Sequence, residues 1–126
     1  MKILNKRVRF DYELLERIEA GIVLKGKDIK NLREGKANLK NTYAKIIDGE
    51  VFLVSSTLPT RKLLLHKDQI ANLEAKTKAK RLTLVPTKLY TKGHLVKVEL
   101  ALAKSKRKFE KRETIKKRDL ERELKV

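Results

Sequence analysis

The 126-residue sequence contains no cysteine and no tryptophan. Disulfides and thiolate metal sites are therefore excluded, and a reducing cytoplasm is the natural compartment. Long apolar runs are also missing. None reaches the ~18 residues of a membrane span, and Met1–Arg7 lacks the apolar segment of a signal peptide. Histidine is scarce. His66 follows a run of leucines and His94 sits in a turn, so both read as packing or surface residues. No serine or acid is placed to complete a triad, and no two ligands have metal spacing. Neither an enzyme nor a cofactor is expected. Acidic residues are few beside basic ones: 16 Asp and Glu against 33 Lys and Arg, a net charge of +17.

Such an excess points to a polyanion, either nucleic acid or an anionic membrane surface. A membrane binder would carry bulky apolar residues along its most basic helix. The most basic segment here has few, so nucleic acid is favoured. Aromatic residues number only three Phe and three Tyr. Single-strand binders stack bases on aromatic platforms. Their scarcity shifts the expectation to a folded RNA recognised by shape.

The chain reads as one domain. Residues 1–9 form a basic arm, and Val8, Phe10 and Tyr12 alternate as a short strand. Ile18, Ala20, Ile22 and Leu24 alternate with Glu19, Gly21, Val23 and Lys25, which predicts a longer one. The period then changes. Ile29 and Leu32 suit a short helix, stopped near Gly35. The outward face of this unit carries Glu19, Lys25, Lys27, Lys30 and Arg33, a lone acid among bases. Residues 41–47 and 50–55 read as strands joined by Asp48-Gly49, a type I′ hairpin turn. Residues 68–80 read as a helix with Ile70, Leu73 and Thr77 in one stripe. Residues 81–90 and 95–103 give two more strands, with Pro86 marking an edge or a bulge. The expected fold is mainly β with two or three peripheral helices: a small closed Greek-key barrel of the OB class with about six strands.

Residues 1–104 are assigned to the barrel and 105–126 to a basic tail. Favourable and repulsive charge pairs cancel in the tail, so it is expected to be disordered alone and helical against a polyanion. Gly21, Gly26 and Lys27 nearly match a phosphate loop. Asp28 stands where the hydroxyl of Ser or Thr is needed, and the intervening residues continue a strand, so that function is rejected. Four basic clusters remain: Asn5-Lys6-Arg7 with Arg9; Lys27, Lys30 and Arg33 with Lys36; Arg61-Lys62; and Lys104-Ser105-Lys106-Arg107-Lys108. Together they form a phosphate footprint. Glu19 repels phosphate but can accept bonds from base edges or ribose hydroxyls; a local salt bridge with Lys25 is the plainer alternative.

Several runs together resemble the SsrA-binding protein family, also called small protein B. They are Asn5-Lys6-Arg7, residues 19–26, residues 32–39, Asp48-Gly49-Glu50, Arg61-Lys62-Leu63-Leu64-Leu65-His66-Lys67, residues 82–86 and Glu110-Lys111-Arg112-Glu113. The resemblance implies binding to the tRNA-like domain of transfer-messenger RNA (tmRNA). It implies delivery to the A site of stalled 70S ribosomes for trans-translation, in a complex with alanyl-tmRNA and elongation factor Tu. A monomer acting away from membranes is expected. By motif, Asn5, Glu19, Gly21, Lys62 and Leu64 become RNA contacts. Glu110, Lys111 and Arg112, with Lys116 and Arg118, become the tail residues that act on the ribosome. Glu110 replaces the family's usual Asp. Phe10 stands where the family often has a histidine; it can stack but cannot exchange a proton. The family also has about fifteen more residues before Arg61. Only the six residues Ser55–Thr60 make this connection, so either the loop is trimmed or a segment is absent from these 126 residues; the second is favoured because so short a barrel connection is expected to strain the topology. A ribosomal or assembly protein bound to folded rRNA is the alternative function, and an RNA-processing enzyme a third.

Overall fold

The computed structural model describes residues 1–106. In chain order these form β1 (Lys2–Leu4), α1 (Val8–Asp11), β2 (Tyr12–Ile22), α2 (Gly26–Arg33), β3 (Tyr43–Ile47), β4 (Glu50–Val54), β5 (Arg61–Leu64), α3 (Lys67–Lys80), β6 (Thr83–Lys92) and β7 (Leu95–Ser105). Every strand pairing is antiparallel. The neighbours run β6-β3-β4-β5-β2-β7, and β7 returns to β6. Six strands therefore close a ring, the OB-like barrel expected from the sequence. β1 is a seventh strand added outside the ring, on β6. Closure is thinnest between β3 and β6, where Ala44 opposite Leu84 is the sole pairing.

Alternation decides which side chains fill the ring. Val51, Leu89, Val98 and Leu100 are wholly inaccessible to solvent. Ala20, Ile22, Leu53, Leu63, Leu84 and Leu102 complete the interior, and Leu32 of α2 with Ile70 and Leu73 of α3 pack onto it. A smaller apolar cluster lies outside the ring: Val8, Val85, Ala101 and Ala103, with Tyr12 and Leu14 against them. β7 is thus buried on both faces between Leu100 and Ala103.

The turns follow their residues. Asp48 and Gly49 both have positive φ, 49° and 75°, as a type I′ turn demands. Of the edge or bulge expected at Pro86, the bulge is present: the β6–β7 register slips between Pro86 and Lys88. It lets a residue with no amide proton sit inside a paired strand.

Two expectations are corrected and one is completed. Residues 8–11 form a turn of helix rather than a strand, because Val8 is drawn inward against Val85, Ala101 and Ala103. The basic arm, read from the sequence without any secondary structure, holds a strand: Lys2, Ile3 and Leu4 pair with Tyr90, Leu89 and Lys88. The short connection before β5 shows no strain. β4 and β5 are antiparallel neighbours, Leu53 opposite Arg61, so residues 55–60 need only close a hairpin. None of them has positive φ. Leu58 is buried, and Thr57 exchanges bonds with Asn38: its Oγ1 accepts from the Asn38 amide at 3.1 Å and donates to the Asn38 carbonyl at 3.0 Å.

Candidate nucleic-acid interface

The outer face of β6, β7, β2 and β5 is a strip of sheet. Register fixes its rows. Tyr90 lies opposite Lys97, Lys97 opposite Gly21, and Gly21 opposite Leu64. The next row is Lys88, Glu99 and Glu19. These residues share a face because their strand partners alternate with the interior Leu89, Val98, Ala20 and Leu63.

Glu19 and Glu99 are like charges directly opposite each other, which costs stability unless neutralised. Four cations do so. Arg17 and Lys88 reach Glu99 at 3.7 and 3.5 Å, and Lys92 reaches Glu19 at 3.8 Å, with Lys97 close by. The Tyr90 hydroxyl donates to Glu19 Oε2. That bond, opposed by partial desolvation and helped by Lys92, Lys97 and Lys88, holds the Glu19 carboxyl below its ordinary range. Burial first, and then the Glu19 carboxylate, push the Tyr90 phenol up to about 12. At neutral pH Glu19 is therefore an acceptor only and Tyr90 a donor.

Gly21 matters here for its missing side chain. A Cβ there would stand 3.3 Å from Leu64 Cβ. Leu64 itself is 54% exposed, an apolar group at the rim of a charged strip. A ligand backbone or ribose can lie flat across Gly21 with Leu64 beside it.

The other residues proposed from the sequence divide by their partners. The alternative salt bridge of Glu19 with Lys25 is not formed; its bonds go to Tyr90 and Lys92 of β6. Lys25 contributes to α2 through its backbone, donating its amide to Asp28 Oδ2 at 2.9 Å. Lys30 and Arg33 are exposed and make no ion pair among the described residues, as do Lys6 and Lys104. Lys36 pairs with Glu34 at 3.0 Å and Lys62 with Glu50 at 3.1 Å. Arg7 lies 5.0 Å above the Phe10 ring, so Phe10 here carries a cation. Arg61 turns inward and holds Asp28 by two bonds, 2.8 and 3.1 Å. Lys106 donates its amide to the Asp11 carbonyl at 2.9 Å. Glu110, Lys111, Arg112, Lys116 and Arg118, and the tail's proposed order, lie outside the described residues.

Arg17, Lys88, Tyr90, Lys92, Lys97 and Glu99 were missed by sequence reasoning. The available signal was period two: Lys88, Tyr90 and Lys92 alternate on the solvent side of β6.

Asn5 has a structural task. Its side-chain amide donates to the Pro86 carbonyl at 2.8 Å, and its own amide to the Thr87 carbonyl at 2.9 Å. It thus fastens β1 to the bulge, beside Lys88 and Glu99 with which it lines one hollow. Asn5→Ala is expected to cost about 1 kcal/mol of stability, the net worth of one such bond. Urea unfolding monitored by circular dichroism measures it; an unchanged midpoint would remove this role.

A family model described as SmpB protein matches residues 2–60 and 56–126. An SsrA-binding protein of Persephonella marina is 45% identical over 134 residues, covering 95% of this chain and 88% of the relative. One from Thermosipho africanus is 44% identical over 141 residues, covering 98% and 95%. The first match takes up 95% of 126 residues, about 120, against a length of 134, so about 14 positions of the relative have no counterpart here. A solved chain described as "tmRNA-SmpB: a journey to the center of the bacterial ribosome" superposes with a TM-score of 0.68 at 38% identity, covering 90% of this chain and 94% of that one.

Proposed function

The chain belongs to the SmpB protein family, and from that premise we propose that it binds the tRNA-like domain of tmRNA and delivers it to the A site of stalled ribosomes for trans-translation. Incomplete peptides are thereby tagged and the ribosome is released. The protein acts as an RNA-binding factor, and the bond-making steps belong to its RNA and ribosomal partners. Association with alanyl-tmRNA and elongation factor Tu, a monomeric state and a cytoplasmic location complete the reading. No described helix is long and apolar enough to cross a membrane.

The observation that carries the RNA-binding surface is the strip built around Glu19. Lys88, Lys92, Lys97 and Arg17 offer cations to phosphates, which supply affinity with little sequence information. An ionised carboxylate among them rejects phosphate at that one point. It accepts instead from ribose 2′-hydroxyls or base amino groups, which duplex backbones present differently. Gly21 and Leu64 extend the strip with a flat and then an apolar stretch, suited to a ribose or base face. The exposed Lys30 and Arg33 of α2, together with Lys6, widen the basic footprint. The rRNA-bound ribosomal protein considered from composition has no comparable support.

Glu19→Arg is the test. It makes the protein more basic, so a purely electrostatic surface would bind every RNA more tightly. The expected result is a loss of affinity for the tRNA-like domain of about tenfold, the scale of a lost charge-assisted hydrogen bond. Binding to an unrelated RNA duplex should hold or rise. Filter binding at fixed salt with both RNAs measures the ratio. Unchanged or tighter binding to the tRNA-like domain would sink the assignment of Glu19.

A further inference from the structure

We propose that Tyr90 is a positioning residue for RNA recognition: its hydroxyl fixes the Glu19 carboxylate so that the remaining acceptor capacity faces the RNA. The inference rests on the reading of Glu19 given above.

Glu19 is on β2 and Tyr90 on β6, with β7 between them. Strands two apart are about 10 Å distant. Among strand-borne side chains only a long arm meeting an extended acid closes that gap. The pair is also diagonal: Tyr90 is in register with Gly21, and Glu19 with Lys88. The missing Cβ at Gly21 leaves the surface beside Glu19 low. The Tyr90 ring is itself held. Lys88 Nζ lies 5.3 Å from its centroid and also pairs with Glu99 at 3.5 Å. With Glu99 of β7 held by Lys88 and Glu19 of β2 held by Tyr90, β6 is tied to both of those strands on the outer face.

Without this bond Glu19 would be a long side chain on an open sheet, 42% exposed, free to change rotamer. Ordering it at the moment of binding would weaken the complex, and ordering it beforehand removes that cost. The bond takes Oε2 only. Oε1 is met by Lys92 at a loose 3.8 Å, and the Lys92 side chain is 69% exposed. When a phosphate arrives, Lys92 can turn to it, and Oε1 is left facing a hydroxyl or amino donor of the RNA. Tyr90 remains a donor throughout, because its phenol stays protonated at any physiological pH.

A double-mutant cycle tests the role. Tyr90→Phe keeps the ring, its burial and its contact with Lys88, and removes only the donor. It should weaken binding to the tRNA-like domain about fivefold, the worth of one net hydrogen bond. The salt slope should not change, since no phosphate contact is lost, whereas losing one cation contact would lower it by roughly 0.7–0.9. In a Glu19→Ala background the same change should be silent. A pH profile adds a readout that a packing role would not move. Glu19 faces Tyr90, Lys88 and Lys92 of β6, Lys97 and Glu99 of β7, and Arg17 of its own strand. Losing the tyrosine bond raises the carboxyl toward its ordinary value, so the acid-side loss of RNA affinity should begin at higher pH in Tyr90→Phe.

The failures are distinguishable. If Glu19→Ala binds the RNA as well as the unchanged protein, the reading of Glu19 is wrong. If Glu19→Ala is impaired while Tyr90→Phe is not, or if the two losses multiply, Tyr90 does not position Glu19. A small fall in thermal midpoint is expected for Tyr90→Phe, from one lost hydrogen bond; such a fall with RNA affinity and its pH profile unmoved would assign Tyr90 to packing alone.

Discussion

Asp28→Ala is expected to lower the folding free energy by about 3 kcal/mol, the low end of the range for removing one partner of a buried ion pair. Asp28 is 2% exposed and sits in the first turn of α2, where the sequence reads as a failed phosphate loop. One oxygen, Oδ2, accepts from the Lys25 amide at 2.9 Å and from Arg61 Nε at 2.8 Å; Oδ1 accepts from Arg61 Nη2 at 3.1 Å. The residue therefore caps α2 and anchors it to β5 across 33 positions of sequence. Alanine loses both functions and leaves the guanidinium half-buried without its partner. Arg61 retains some access to water, its side chain being 18% exposed, which is why the low end applies. For a domain of this size the melting temperature should fall by about 10 °C. Calorimetry of the variant gives the number, and a fall of only a degree or two would show the pair to be dispensable.

The same pair sets a pH dependence. The bonds from Arg61, with that from Lys25, hold the Asp28 carboxyl below its ordinary 3.8, desolvation opposing. A carboxyl depressed in the folded state stabilises the fold fully above its unfolded value and loses that contribution as pH falls through the folded one. The stability difference between the unchanged protein and Asp28→Asn should thus be constant near neutrality and shrink below about pH 4.

Asp28 also marks what the sequence could and could not disclose. Local signals were readable because their physics is local. Asp48-Gly49 needs only its own two dihedral angles, and both are positive. Pro86 lacks a donor wherever it sits, and a bulge receives it. The alternation of Val96, Val98, Leu100 and Leu102 needs only a strand. Partner choice is different. Arg61 and Lys62 read alike as basic neighbours, yet alternation turns one toward Asp28 inside and the other toward Glu50 outside. Glu19 was readable as an acid among cations. Which cations depends on β6 lying two strands away, a fact stored in barrel closure and not in residues 19–33. Val8, Phe10 and Tyr12 have a strand's spacing, but with Val8 packed against Val85 and Ala101 the first two lie in a helical turn and only Tyr12 joins a strand. Asn5 was readable only by resemblance, and its bond to the bulge gives any loss of function on its replacement two possible origins, stability and RNA contact.

Ending the chain after Lys106 should separate RNA binding from ribosome rescue. The barrel is complete at that point: β7 pairs with β2 up to Ser105 opposite Tyr12, and the Lys106 amide bonds Asp11. Arg17, Glu19, Lys88, Tyr90, Lys92 and Lys97 all precede the cut, and their rows are set by strands that the cut leaves whole. Affinity for the tRNA-like domain should therefore change less than about threefold, with a salt slope altered by less than one phosphate contact. Peptide tagging on stalled ribosomes should be abolished. The removed residues 107–126 carry nine Lys and Arg and five Asp and Glu, a weak excess for a segment meant to grip phosphate alone. A tagging assay beside a binding titration decides between roles. Retained tagging would remove the tail from the rescue step. A large loss of binding with a shallower salt slope would instead make residues 107–126 a second anchor on tmRNA, and the strip around Glu19 only part of its interface.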